Sequence, residues 1–523
     1  MNRREFLRRS VPASVVPLMV GGYAVKALGR SSILEALISN AVDTDHVLVL
    51  IQLNGGNDGL NTVIPLDQYS NLSQARGNIL IPEAKVLRLT DATGLHPAMS
   101  GMKNLYDEQK LAVIQSVGYP SPNFSHFRAT DIWLSGSDSN QYVPSGWMGR
   151  YLDEEFVDYP TGYPNAAAPD PLAIQIGSVV TTGFQGPDVQ MGIAITSSTN
   201  FYQLVSGVVD TAPDTRAGHE LTFVRHVIQQ TQEYTTRIRD AAAKAKNQST
   251  LYPAAGQNSL ADQLKIVAQL IAGGLQTRLY MVSIGGFDTH SGQADAGTPE
   301  TGQHANLLGR LSTAITAFQD DLKLLGKEER VIGMTFSEFG RRIASNASYG
   351  TDHGTAAPVF IFGKYANAGI YGTNPTIKAG VTPNDNLPMQ FDFRSIYASL
   401  LSTWFSVPKA ELENVLLKEF ASVPIVSEGD PSQVIAKRFR LEQNYPNPFN
   451  AGTRIRIHSS GDYYATIKVY NSLGQRIAVL AEGLLTEGDH EFAFDSGNLP
   501  SGMYFYRLES GNATQVKTMV LVK

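Results

Sequence analysis

The sequence predicts an α/β domain with a mainly parallel, doubly wound sheet, followed by a small all-β antiparallel sandwich. In the first part of the chain, apolar runs of strand length alternate with long helical patterns, which is typical of βαβ units. Beyond residue 438 the pattern changes to short strand-like runs separated by turn residues, which indicates a sandwich. A chain of 523 residues is long enough for two or more domains.

The strands predicted for the first domain are short, continuous apolar runs. Such runs are expected where a parallel sheet is buried on both faces. They cover residues 46–53, 110–117, 279–284, 331–336 and 359–362.

The helices predicted around this sheet carry their apolar residues along one stripe. In residues 304–325, for example, Leu307, Leu311, Ile315 and Phe318 recur at helical spacing. Another helix opens at Trp147, and the remaining helices cover residues 97–109, 220–246, 260–271 and 393–405.

The C-terminal domain is predicted to be an address or adhesion module, because it carries no cluster of Asp, His and Glu. Residues 424–438 form the linker, so the two domains are expected at residues 45–423 and 439–523. The strand-like runs of the second domain cover residues 453–458, 465–470, 476–480, 490–494, 503–508 and 516–522.

Polar residues follow the predicted strands of the first domain wherever one of these strands ends. In open α/β sheets, ligands bind outside the carboxyl ends of the strands. Polar loops placed by chance would fall at both edges of the sheet, so this one-sided placement favours a single site. The residues are Asn54 and Asp58, Ser125 and His126, Asp288 and His290, Glu338, and finally Asp352 and His353.

The paired aspartates and histidines in these loops are the ligand types that divalent metals use. Carboxylate oxygen and imidazole nitrogen suit zinc, manganese and related ions. The chain has no cysteine, which excludes disulfides, thiolate catalysis and Cys-ligated metal sites. The alternative interpretation of the segment ending in Asp352-His353-Gly354 is a solvated loop with a capping aspartate.

The N-terminal residues 1–30 resemble a twin-arginine export signal. Arg3-Arg4-Glu5-Phe6-Leu7 is followed by an apolar stretch, residues 11–28, that proline and glycine interrupt. Because its apolar residues are interrupted, this stretch is not expected to span a bilayer as a stable helix. We expect no transmembrane helix in the mature chain. The alternative is a basic amphipathic N-terminal helix. A net charge of −6 makes nucleic acid an unexpected partner.

The C-terminal part, residues 441–523, closely resembles the type A sorting domain of the type IX secretion system. The resemblance rests on Asn444-Tyr445-Pro446-Asn447-Pro448-Phe449-Asn450, on the stretch 469–474 and on the stretch 499–504. It implies export by the type IX machinery, with passage through the periplasm followed by release or attachment at the cell surface.

Residues 45–405 resemble the exported bacterial family called domain of unknown function 1501. This family is similar to the alkaline phosphatase and sulfatase superfamily, whose sheet carries metals held by Asp and His. The resemblance implies divalent ions (zinc, manganese, magnesium or calcium) bound by Asp58, Asp288, His290, Glu338, Asp352 and His353. It rests on the blocks 54–61, 94–97, 125–127, 146–150, 287–290, 337–341 and 350–354.

The first metal-binding aspartate of the superfamily falls here on Asn54, with Asp58 four residues further along the chain. For ester hydrolysis, a metal pair could activate Ser125 or a water as nucleophile, His126 could act as general acid, and Arg341 could hold the anion. A salt bridge from Arg341 to Glu338 or Asp352 is the alternative for that arginine.

The expected function is that of an exported metal-dependent hydrolase of phosphate or sulfate esters, with a small anionic ester or a polymer as substrate. The alternative is a non-catalytic surface protein that keeps the hydrolase fold and binds a polymer in its cleft. For His96, beside Pro97, we expect a buried structural histidine and no role in the site.

Overall fold

The computed structural model describes residues 18–20, 23–25, 45–165, 168–197, 233–427, 439–459, 463–471, 476–486, 488–510 and 513–523. The described chain divides into two compact units, one containing residues 45–427 and the other residues 439–523. The proposed export signal, apart from two three-residue strands, lies outside the described residues, as do most of the linker and residues 220–232 of a predicted helix.

The first unit is built on a nine-stranded sheet. Its strands in chain order are β1 (Val47–Leu53), β2 (Leu111–Gly118), β3 (Ala173–Ile176), β4 (Gly192–Ile195), β5 (Leu279–Ile284), β6 (Val331–Phe336), β7 (Ala357–Phe362), β8 (Gly369–Tyr371) and β9 (Phe391–Asp392). They lie in the order β8-β2-β7-β6-β1-β5-β3-β4, and β9 also pairs with β2. Strand β7 is antiparallel to both neighbours, whereas every other pairing is parallel. The predicted mainly parallel sheet is confirmed.

Strand β1 shows why the apolar runs form buried strands. All seven of its residues are buried. Val49 and Ile51 pack into one apolar cluster, whereas Leu48 and Leu50 pack into another. Because successive side chains of a strand point to opposite faces, a strand covered on both faces is apolar along most of its length, and Gln52 is the one polar residue of β1.

Helices cover both faces of the sheet. Apolar residues of α2 (Ser100–Asp107), α5 (Ser259–Ala272) and α6 (Gln303–Leu324) belong to one cluster. The apolar residues of the other cluster come from α3 (His126–Ser135), α4 (Trp147–Glu155), α7 (Phe393–Ser399) and α8 (Lys409–Leu416). A further helix, α1 (Tyr69–Arg76), follows β1 in the chain.

Two of the predicted helices differ from their expected form. The predicted helix 97–109 starts as a 3-10 turn, Pro97–Met99. Proline suits the first position of such a turn, because its fixed φ is helical and its missing N–H would have no partner there. The predicted helix 393–405 becomes a π-helix over Leu400–Trp404. Residues 233–244 are helical, in agreement with the described part of the predicted helix 220–246.

The second unit contains two antiparallel sheets. Strands β10 (Phe439–Leu441), β11 (Gly452–Ser459) and β14 (Gly488–Asp495) form one, and β12 (Tyr463–Asn471), β13 (Arg476–Leu485), β15 (Gly502–Ser510) and β16 (Ala513–Leu521) form the other. Ile455 and Ile457 of the first sheet share one apolar cluster with Ile467 and Tyr506 of the second. The prediction of a small sandwich is confirmed.

In the part of the chain that the structure describes, no helix is both long and apolar enough to cross a membrane.

Candidate functional site

The residues predicted at the strand ends meet at one edge of the sheet. Strands β1, β5 and β6 are parallel neighbours, so the loops that follow them leave the sheet on the same side. Strand β7 is antiparallel to β6, so the segment before it lies at that same edge. Gly55 permits close packing there, because its φ is +122° and a Cβ on it would lie 2.2 Å from the backbone nitrogen of Asp288.

The carboxylate of Asp288 lies among three histidine rings. Its Oδ1 atom is 3.2 Å from Nε2 of His290 and 3.2 Å from Nε2 of His353. Its Oδ2 atom is 3.5 Å from Nε2 of His126. The Nε2 atoms of His290 and His353 are 2.9 Å apart. The structure therefore brings together residues from three separate predicted loops.

Each of these rings is held from behind through its Nδ1 atom. The acceptors are Oδ1 of Asp352 for His290 at 3.1 Å, the carbonyl oxygen of Phe124 for His353 at 2.9 Å, and Oε1 of Glu338 for His126 at 2.9 Å. Carboxylate and carbonyl oxygens accept hydrogen bonds, so we assign the ring proton to Nδ1 in each case. In the neutral ring that metal binding requires, each Nε2 atom then presents a lone pair towards Asp288.

The local electrostatics favour the electron-rich forms of these groups. Burial lowers the pKa of His353, which favours the neutral ring. Burial would raise the pKa of Asp288, but opposing interactions, of which the hydrogen bond from Arg341 is the largest, lower that pKa below its ordinary value. Neutral imidazole and carboxylate are the forms that bind metals.

The donor set of Asp288, His290 and His353 has the dimensions of a metal site. The distances between its three facing atoms are 3.2, 3.2 and 2.9 Å. The ligands of a tetrahedral zinc ion, with bonds of about 2.0–2.1 Å, stand roughly 3.3 Å apart. His126 forms an overlapping candidate metal-binding group with Asp288 and His353, in which the ligand atoms lie within 4.8 Å of one another. The three distances of the set with His290 are close to those around a single tetrahedral ion.

Arg341 is fully buried and holds the surrounding loops together. Its Nε atom donates to the carbonyl oxygen of Gly56 at 2.8 Å, and its Nη1 atom donates to that of Thr351 at 2.8 Å. Its Nη2 atom donates to the Phe287 carbonyl at 3.0 Å and to Oδ1 of Asp288 at 2.7 Å. The structure thus directs this guanidinium to protein oxygens and does not bring it to the cavity as an anion holder.

The salt bridge considered for Arg341 exists, although with Asp288 in place of Glu338 or Asp352. Glu338 instead accepts from His126 and, at 2.7 Å, from the backbone N–H of Gly55.

Asp58 and Ser125 have partners other than the histidine rings and Asp288. The fully buried carboxylate of Asp58 is 2.8 Å from Nη1 of Arg76, and Nε2 of Gln293 donates to it at 2.5 Å. Its oxygens are therefore already paired within the protein. Ser125 is exposed before the first turn of α3, where its backbone N–H donates to the Asn123 side chain at 2.9 Å.

An open cavity of about 510 Å³ lies beside the cluster. Asn54 contributes to its wall, whereas Ser125 does not. Its prominent apolar residue is Phe127, whose surface is 91% exposed. The lining consists of Gln52, Asn54, Gly55, His126, Phe127, Thr130, Asp131, Thr182, Asp288 and Glu338.

Sequence reasoning missed the residues that support the cluster from within the protein. The Phe124 carbonyl, Arg76 and Gln293 carry no local motif that distinguishes them from ordinary polar or loop residues. The expectation for His96 is confirmed, because it is buried and its Nδ1 atom accepts from the Ala98 backbone N–H at 3.1 Å.

Several solved structures resemble the chain. The PsFucS1 sulfatase from Pseudoalteromonas sp. is 12% identical, with a TM-score of 0.33 over 89% of this chain and 86% of that one. A protein in the alkaline phosphatase superfamily from Vibrio parahaemolyticus is 12% identical, with a TM-score of 0.31 over 84% of this chain and 82% of that one. Dimeric latent PorU from Porphyromonas gingivalis is 19% identical, with a TM-score of 0.14, and the match covers 16% of this chain and only 9% of PorU.

The family models account for nearly all of the described chain. No curated protein matches it. Residues 443–523 match the secretion system C-terminal sorting domain, which indicates export to the cell surface or secretion. Residues 45–408 match the protein family of unknown function DUF1501. Since this second match extends over well more than half of the sequence, the chain belongs to the DUF1501 family.

Proposed function

We propose that the protein is an exported metal-dependent hydrolase whose ion is bound by Asp288, His290 and His353. One observation carries this proposal: two ring nitrogens and a carboxylate oxygen face one another within 3.2 Å. With the ring protons on Nδ1, each facing atom presents a lone pair. A cation between such atoms would offset their mutual repulsion.

Asp352 and Glu338 are assigned here to the support of the rings. Each accepts a hydrogen bond from the Nδ1 atom of a cluster histidine. Carboxylates in this position orient metal-binding histidines and strengthen them as ligands. Both residues were expected from the sequence as direct ligands, so this assignment keeps them in the site but changes their role.

Hydrolysis needs a route for protons, and His126 is placed to provide one. A bound divalent ion would polarise the ester and lower the pKa of a nearby water. His126 lines the cavity, and Glu338 fixes its ring through Nδ1. A general acid or base must reach the substrate, and the ring of His126, whose Nε2 atom lies 3.5 Å from Oδ2 of Asp288, belongs to the cavity wall.

The substrate class rests on the sequence motifs, whose family resemblance implies phosphate or sulfate esters. An open cavity of about 510 Å³ suits a small ester or the end of a polymer. The C-terminal sorting domain supports action outside the cell. Passage through the periplasm by the twin-arginine route remains part of this proposal.

A second candidate function is polymer binding without catalysis. It is favoured by two positions: Ser125 lies outside the cavity wall, and Arg341 is directed to protein oxygens. These two positions support a function in which neither residue takes part in catalysis. If the protein only binds a ligand, the cavity would retain it without turnover.

The deciding experiment measures metal content first and hydrolysis second. The purified full-length protein is expected to carry a divalent ion in elemental analysis, and the Asp288→Asn protein is expected to carry much less. A panel of phosphate and sulfate esters is then assayed with the Asp288→Asn protein as blank. Metal binding with no turnover on any ester would favour the binding function. Absence of tightly bound metal, unchanged by the substitution, would overturn the enzyme proposal.

A further inference from the structure

A buried glutamine joins the two segments that carry the facing histidines. The Oε1 atom of Gln293 accepts from the hydroxyl of Thr289 at 3.0 Å and from the hydroxyl of Thr351 at 2.6 Å. Thr289 stands between Asp288 and His290, and Thr351 directly precedes Asp352-His353. Gln293 and both threonines are buried. A single oxygen atom thus ties together the backbones on which the cluster is built.

The orientation of this glutamine is fixed from its other side. Its Nε2 atom donates to Oδ2 of Asp58 at 2.5 Å. Asp58 in turn is held by Nη1 of Arg76, which lies 2.9 Å from Oδ1 and 2.8 Å from Oδ2. Turning the amide over would place Oε1 against a carboxylate, which cannot donate to it. The arrangement therefore has one favourable orientation.

Arg76 extends the same support to the loop that leads into the second segment. Its Nε atom donates to the Ile343 carbonyl at 2.8 Å, and its Nη2 atom donates to the Arg342 carbonyl at 2.6 Å. Arg76, Asp58, Gln293 and the two threonines are thus linked by hydrogen bonds into one buried network. This network supports the segments that carry the histidine cluster. Buried networks of this kind favour one arrangement, because each unmade hydrogen bond costs free energy.

We propose that Gln293 is a positioning residue that sets the separation between segment 288–290 and segment 351–353. Its contacts would hold the ring nitrogens of His290 and His353 at their present distance from Asp288. This inference rests on the proposed metal-binding function for its consequence, but the positioning itself concerns only the protein. The substitution Gln293→Met keeps an unbranched side chain of similar length and removes the three hydrogen bonds of the Gln293 side chain.

The first measurement is the titration of metal-free protein with Co²⁺, followed by its visible absorption. Gln293→Met is expected to weaken Co²⁺ binding by roughly 10- to 100-fold and to change the spectrum, as loss of an outer partner does. Gln319→Met is the matched control, since Gln319 is also buried and its Nε2 atom has no hydrogen-bond partner within the described residues. Equal affinities and identical spectra for the two variants would overturn the proposal.

A second measurement works without metal. The backbone N–H of Thr351 donates to the Thr289 carbonyl at 3.1 Å, so its hydrogen exchange reports the contact between the segments. Exchange in metal-stripped protein should be faster in Gln293→Met than in wild type or Gln319→Met. Unchanged exchange would overturn the positioning role. Faster exchange in a protein that binds no Co²⁺ would uphold that role and reject the metal-binding function.

A pair of threonine variants serves if Gln293→Met does not fold. Thr351→Val removes the hydroxyl that donates to Gln293 while keeping the branched shape, whereas Thr351→Ser keeps the hydroxyl. Thr351→Val should weaken Co²⁺ binding. Thr351→Ser should bind Co²⁺ within about threefold of wild type, which is a smaller change than the loss of a residue that supports a metal ligand usually causes. If valine and serine behave alike in both Co²⁺ affinity and amide exchange, the hydroxyl has no positioning role.

Discussion

The Nε2 atoms of His290 and His353 face each other across 2.9 Å. With both ring protons on Nδ1, neither nitrogen can donate to the other, and the distance brings two lone pairs together. The competing arrangement makes one ring an imidazolium that donates to its partner or to Asp288. These two arrangements differ in what occupies the space between the rings, a metal ion or a proton, and metal binding distinguishes them.

Substitution of the central carboxylate should affect metal binding more than substitution of a supporting one. Asp352→Asn removes the charge behind His290 but leaves the facing atoms in place, so affinity should fall roughly 10- to 100-fold. Asp288→Asn removes the charge that faces the ion, so it should lower metal affinity by a larger factor than Asp352→Asn does. Isothermal titration of metal-free protein with Zn²⁺ gives both values. A larger loss for Asp352→Asn would show that this residue is itself a ligand.

Arg341 is expected to contribute to stability and not to anion affinity. Arg341→Lys leaves several buried carbonyl groups unpaired, because an ammonium group cannot match the planar fork of a guanidinium. The free energy of unfolding should fall by about 1–3 kcal/mol for each buried carbonyl group left without a hydrogen bond. Urea unfolding followed by tryptophan fluorescence measures it, since Trp133, Trp147 and Trp404 all lie in the α/β unit.

Arg342→Lys is the matched control for this change. Arg342 is only partly buried, and it donates through Nε to the His353 carbonyl at 3.2 Å. Arg342→Lys should lower the free energy of unfolding by no more than about 1 kcal/mol, which is the usual net contribution of one hydrogen bond. If Arg341→Lys instead keeps wild-type stability and raises KM for anionic esters, Arg341 is the anion holder considered from the sequence.

The strands and the residues that follow them could be predicted because both depend on local pattern. Leu279–Ile284 and Val331–Phe336 have their predicted bounds, since strands covered on both faces leave unbroken apolar runs. The loops that carry Asp288, His290 and His353 could be expected to meet, because parallel strands deliver their carboxyl ends to one edge.

The partners of the buried charges could not be predicted in the same way. Asp58 pairs with Arg76, and Arg341 contacts carbonyl groups from loops distant in sequence. Such pairings depend on how separate segments pack, and no local spacing encodes them. For this reason Asp58 and Arg341 were expected at the ligand-binding surface, whereas the structure places both inside the protein.

The exposed ring of Phe127 predicts a preference for substrates with a flat apolar face. The ring lines the cavity next to His126, and its surface is 91% exposed. Stacking between rings contributes about 0.5–1.5 kcal/mol beyond burial, or roughly 2- to 12-fold. Phe127→Ala should lower kcat/KM for aryl esters by that factor and leave methyl phosphate within about twofold.

The comparison residue for Phe127 is Tyr142, which is 78% exposed and lies outside the cavity wall. Tyr142→Ala should leave the ratio of aryl to methyl activity unchanged. An equal loss on both kinds of ester in Phe127→Ala would mean that the ring supports the fold of the site and does not contact the leaving group.

Two buried histidines beneath the cluster should make the α/β unit sensitive to mild acid. Burial lowers the pKa of His304 to about 4 and that of His96 to about 3. In the unfolded chain, histidine takes up its proton near pH 6.5, so the unfolded state binds more protons below that pH. Stability contributed by the neutral rings is therefore complete above pH 6.5 and is lost as the pH falls towards 4.

Between pH 7 and pH 5, each of these two histidines should lower the free energy of unfolding by roughly 2 kcal/mol. Urea unfolding of metal-stripped protein across this range, followed by tryptophan fluorescence, measures the slope. His304→Gln removes one titrating group and offers an amide N–H in place of the ring N–H that faces Asn57 at 2.9 Å. Its stability should depend less steeply on pH than that of wild type. His458→Gln, at a half-buried position of the sandwich unit, should leave the slope unchanged. An unaltered slope in His304→Gln would mean that His304 is not neutral in the folded protein.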